Sequence, residues 1–155
     1  MLLPIGVWVA SRALEAQWDF DSGFYHLSSI RWLNEYRVVP GLGNLHYRLA
    51  FNQTFFLFVA ALNGYPFFNL GLHIANSLLL MVVVGQSLNS ILVVLRHPRQ
   101  LSPYHLLCAL LLPVVVYHAT YQRFSANMSS PSPDLSVFLM QITVMLAFVR
   151  FLFNE

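Results

Sequence analysis

The sequence predicts an all-α fold, a polytopic bundle of transmembrane helices, and three observations carry that expectation. Hydrophobic residues make up 57% of the 155-residue chain and charged ones only 9%, where an ordinary soluble domain carries about 25% charged residues. Apolar runs of about 20 residues recur beyond residue 66, the length a helix needs to cross about 30 Å of hydrocarbon. The breaks between them hold Gly, Pro, Ser and Asn, which punctuate helices. Too little polar surface remains for a water-soluble globule.

Charge and cysteine content exclude other classes. All eight basic residues are arginine, and the formal net charge of +2 is too small and too scattered for a nucleic-acid partner. Cys108 stands alone inside an apolar run, so there is no disulfide framework and no metal-ligand cysteine spacing.

Residues 1–155 read as a single membrane module. Residues 1–14 are a partial first span, apolar but short of a bilayer, without the basic region and cleavage site of a signal peptide. Residues 15–66 form a large outer loop, too polar up to residue 48 to face lipid. Within it Asp21 or Ser22 can cap a helix running to about Tyr36, which residues 38–44 then end. That helix is apolar on two sides, with a narrow charged strip holding Arg31 and Glu35, as expected of a helix lying at the membrane surface. Leu49 to Leu62 is expected to be re-entrant or interfacial. A full span there would place Arg96 and Arg99 on the side of the acidic loop, against the bias of arginine towards the cytoplasm. Full spans are then 67–95, 104–121 and 135–153, the second kinked by Pro113. No internal repeat and no coiled-coil heptad stands out.

Most polar chemistry is confined to the first loop, which holds Glu15, Asp19, Asp21 and Glu35, four of the six acids in the chain. A carboxylate at Asp21, or alternatively Asp19, can act as general base on an acceptor hydroxyl from the aqueous side; its plainer role is helix capping. The same pair with His26 and His46 could take a divalent cation, but no recognised ligand spacing supports a metal site. Arg31, Arg37, Arg48 and Arg123 fall on the outer side, where guanidinium forks can hold a phosphate or pair with nearby acids and lipid headgroups. Asn69, His73, Asn76 and Ser77 share one face in the outer half of the longest span, which suits hydrogen bonding between helices.

The segments Asp21 to His26 (DSGFYH), Val39 to His46 (VPGLGNLH), Arg48 to Asn52 (RLAFN) and Ser129 to Leu135 (SSPSPDL) resemble the outer loops of the GT-C glycosyltransferase superfamily. The likeness is to a group of large, multi-spanning bacterial membrane proteins. It implies an inverting glycosyltransferase with a polyprenyl-phosphate-linked sugar donor and an acceptor on the outer face of a bacterial inner membrane. By the same likeness Asp21 is the general base, Tyr25 matches a tyrosine one turn later, and His46 and Arg48 approach the lipid phosphate. The position after the acid, usually a second acid, is Ser22 here. The superfamily has more spans than this chain offers. The expectation is therefore an N-terminal membrane module, inactive alone, that needs further spans or a partner membrane subunit. A non-catalytic membrane subunit or transporter fragment is the alternative. Transporters place ionisable groups near the bilayer midplane, whereas here they gather at one surface.

Overall fold

A computed structural model describes residues 2–16, 19–37, 39–50, 54–64, 66–98, 102–121 and 128–153. Among them there are helices and turns and no strand. In hydrocarbon an α-helix satisfies every backbone polar group within its own segment, so uniformly apolar runs of this length have no simpler option. Three helices are long and apolar enough to cross a membrane: α5 (Gly71–Arg96), α6 (Pro103–Thr120) and α7 (Pro133–Leu152). They pack pairwise into a bundle, and α1 (Leu2–Ala13) lies along α5. With 12 residues, α1 rises about 18 Å, short of a bilayer. The bundle core is Leu80, Val84 and Leu88 of α5, Cys108 and Val115 of α6, and Leu135, Leu139 and Leu146 of α7.

The helix ends follow local chemistry. Ser102 caps α6 by accepting from the His105 amide at 3.3 Å, and Ser132 caps α7 by accepting from the Asp134 amide. Each is followed by a proline at the first helical position, where no amide donor is needed. These caps start the last two spans one and two residues earlier than expected from hydropathy, and α6 continues through Pro113 to Thr120. The first long span starts later, at Gly71 in place of residue 67. Phe68 and Asn69 adopt left-handed φ angles of 39° and 68° and break the helix there.

A second, smaller core sits on the first turns of α5. The chain forms one π-helical turn at Ser22–His26, continues as α2 (Leu27–Glu35), and passes through α3 (Leu42–Leu45) and a 3-10 turn (Tyr47–Ala50) to α4 (Thr54–Leu62). Tyr25, Ile30, Phe56, Val59 and Ala75 close this core. The nine residues of α4 rise about 13 Å, less than half the hydrocarbon thickness. Its end abuts the start of α5 so tightly that a Cβ on Gly71 would lie 2.4 Å from the Val59 carbonyl oxygen.

The ends of α1 and α6 and the starts of α5 and α7 meet at this loop end of the bundle. There Met128 to Ser132 is buried. Asn76 Nδ2 donates to the carbonyls of Ser130 (3.0 Å) and Ser132 (2.7 Å), and Ser77 Oγ donates to that of Met128 (3.0 Å). Of the polar face expected on the longest span, Asn76 and Ser77 thus bond the backbone of the buried residues 128–132, while Asn69 precedes α5.

Candidate functional site

The π turn sets the geometry of the loop end. It places Ser22, Tyr25 and His26 on the buried side and leaves Asp21 and Phe24 facing the segment that follows α3. Such turns hold one extra residue per hydrogen-bonded ring and recur at functional positions in helices. Asp21 does not cap the helix: its own φ and ψ are helical (−66°, −27°) and its side chain makes no cap bond. Its carboxylate instead accepts a hydrogen bond from Arg48 Nη1, 27 residues away in the chain.

Arg48 is delivered by a compact pair of turns. Gly41, at φ 82°, opens α3, and Gly43 packs so close to Ala50 that a Cβ there would meet the alanine methyl at 2.8 Å. The guanidinium then lies over the rings of Tyr25 (5.1 Å), Phe24 (5.5 Å) and Tyr47 (5.8 Å), within range of cation–π attraction. Its Nε donates to the Tyr47 hydroxyl at 3.1 Å, and that bond, followed by the one to Asp21, raises its pKa and holds it charged. His46 stands edge-on to Phe24 at 4.8 Å and stacks on Tyr47 at 4.9 Å. Its Nδ1 accepts from the Arg48 amide at 3.3 Å, so in the neutral ring Nε2 is the donor.

Four of the residues singled out in the sequence therefore converge: Asp21, Tyr25, His46 and Arg48. Arg31 does not join them. It is exposed, paired to Glu35 at 2.6 Å one helical turn on, and lines a shallow cleft with Ser28, Trp32 and Tyr36. Arg37 is exposed as well. Val38, Arg99, Arg123, Phe51 and Asn52 lie outside the described residues.

Asp19 belongs to a separate group. Its Oδ2 accepts from Ser22 Oγ at 3.1 Å and lies 3.7 Å from His26 Nδ1, with Ser22 Oγ 3.4 Å from the same ring nitrogen. His26 is 2% exposed, wedged against Tyr25 and Phe56, and its Nε2 has no partner among the described residues. Burial lowers its pKa, aided by Arg48 and opposed by Asp19, Asp21 and Asp134, so the ring is neutral at pH 7. Its link to Ser22 follows the four-residue spacing that pairs side chains along a helix, the one signal in the sequence that could have found it. Among the described residues no three His, Cys, Asp or Glu side chains are close enough to hold a metal ion, and Asp19, Asp21, His26 and His46 divide between the two groups.

Three bilayer-length apolar helices, with charged and aromatic side chains gathered at one end, define a polytopic α-helical membrane protein. The chain belongs to the family described as domain of unknown function (DUF8201), whose model matches residues 1–155. No curated protein and no solved structure matches it.

Proposed function

We propose that this chain is the membrane module of a GT-C-like glycosyltransferase that takes a polyprenyl-phosphate-linked sugar donor, with the loop end on the outer face of a bacterial inner membrane. The observation that supports it is the meeting of Asp21, Tyr25, His46 and Arg48 from two distant loop segments at one end of the bundle. The Asp21 side chain is 42% exposed, open to an incoming acceptor. In this reading its carboxylate takes the proton of an acceptor hydroxyl as the oxygen bonds to the anomeric carbon. The bond from that carbon to the lipid phosphate breaks in the same step. Arg48 and the Nε2–H of His46 stabilise the departing phosphate. Further spans or a partner membrane subunit complete the donor pocket.

The ion pair itself favours a second reading, a non-catalytic membrane subunit, because Arg48 already holds the Asp21 carboxylate and is covered by three rings. The two are separated by Asp21→Asn in the native membrane protein. Transfer of labelled sugar from a polyprenyl-phosphate donor is expected to fall by about a hundredfold or more, the scale of a lost general base. Undiminished transfer overturns the catalytic assignment.

A further inference from the structure

Helix α7 carries two apolar seams. One is buried in the bundle and runs through Leu135, Leu139, Ile142 and Leu146. The other runs through Val137, Gln141, Val144, Phe148 and Phe151, all exposed. Its spacing of four, three, four and three residues is the heptad repeat of a left-handed helix pair, with Gln141 and Phe148 at the a positions. Around Gln141 the face is hollowed, lined by Val137, Met140, Val144, Met145 and Phe148.

Gln141 makes this face unsuited to lipid. It lies about 12 Å along the helix from Pro133, well inside the apolar stretch, and its side chain has no hydrogen-bond partner among the described residues. Thr143, the other polar group at this depth, already donates to the Leu139 carbonyl at 2.9 Å. A primary amide in hydrocarbon needs a partner, and between membrane helices such groups act as glue. The amide carries both donor and acceptor, so it is complementary to itself. Two copies inserted the same way place their Gln141 residues at the same depth without further adjustment. A parallel pair of α7 helices then lets the two amides bond reciprocally, inside a seam whose other members are apolar.

We infer that the exposed Val137–Gln141–Val144–Phe148 face of α7 is the contact surface for a second copy of this chain, a parallel homodimer within the membrane. None of these residues belongs to the Asp21–Arg48 group, and the inference does not rest on transferase activity. Polar a-position residues set register and pair number in soluble coiled coils, and Gln141 has that role here.

The test is disulfide scanning in membranes, in a Cys108→Ser background, with single cysteines at Val144, Phe148 and the exposed Leu110 of α6. Oxidation with copper–phenanthroline is expected to give covalent dimers at Val144→Cys and Phe148→Cys and not at Leu110→Cys. Adding Gln141→Leu, which places an apolar side chain at an exposed position, is expected to weaken dimerisation about tenfold, from loss of the reciprocal amide bonds. Gln141→Asn is expected to retain it. Equal cross-linking at Leu110 reports random collision, and absence of dimers at both α7 positions reports a different occupant, such as another span; either overturns the inference. Should Cys108→Ser reduce the amount of folded protein, single-molecule photobleaching of the labelled wild type and Gln141→Leu in liposomes reads the same difference, and a wild type that is monomeric overturns it equally.

Discussion

At the scale of single residues, burial decides what the loop end does with its polar groups. Asp21 is named readily from the sequence as the acid of the loop, yet its partner is not, because a helix that already includes Phe20 and Asp21 turns an expected capping side chain into one that reaches Arg48. His26 is the stronger case of a group whose environment the sequence does not show. Its neighbours are Asp19 and Asp21 on its own segment, Arg48 from the loop, Phe56 of α4 and Asp134 of α7. The folded pKa lies below the ordinary value of 6.5, so folding favours the neutral ring. The resulting stability is fully present above about pH 6.5 and is lost as pH falls through the lowered folded value, since the unfolded chain takes up the proton first. The thermal unfolding midpoint in detergent is therefore expected to drop between about pH 7 and pH 5 in the wild type. A His26→Phe variant should show a shallower drop; equal slopes for the two proteins would remove His26 as the cause.

At the scale of elements, hydropathy locates the long helices and misses how they differ around their circumference. Asn76 and Ser77 mark one face of Gly71–Arg96 in the sequence, and only the fold shows that this face clasps residues 128–132 while others pack on α6 and α7. The two heptad seams of α7 overlap in a sequence where nearly every residue is apolar, so neither is visible until one is buried. The π turn is hidden for a related reason: it depends on Tyr25 and His26 packing against Phe56, more than 25 residues further on. The clasp of Asn76 on the buried connection is the element-level device most open to test. Replacing Asn76 with leucine removes the amide donor from the buried Ser130 and Ser132 carbonyls; Ser132, as the N-cap of α7, keeps its intrahelical bond, so the loss is about 1–3 kcal/mol, from Ser130. In a Cys108→Ser background, a cysteine at Ser130 is expected to resist a water-soluble maleimide with Asn76 present and to react with leucine in its place. Protection in both proteins would show that the connection is held by packing alone.

At the scale of the whole molecule, the charges divide between the two ends of the bundle, and the division bears on the reading of the site. The loop end mixes signs, with Asp19, Asp21 and Glu35 against Arg31, Arg37 and Arg48. The far end holds Arg96 where α5 stops and Arg150 near the end of α7, over the ring of Tyr104 at 5.7 Å, with no acid among its described residues. Arginine in a short connection between spans orients the chain strongly, whereas acids contribute little, so Arg96 and the connection after it favour the cytoplasmic side. The transferase proposal requires the same orientation, with the Asp21 cluster on the outer face, where a polyprenyl-phosphate-linked sugar and its acceptor would meet it. Single cysteines at Phe24 and His97, both exposed, read this directly in the Cys108→Ser background. In intact spheroplasts an impermeant maleimide is expected to label Phe24→Cys at once and His97→Cys only after lysis. The opposite pattern would put Asp21, Tyr25, His46 and Arg48 in the cytoplasm. A donor whose sugar is presented on the outer face could not then reach them, and the transferase proposal would fall whatever the effect of Asp21→Asn.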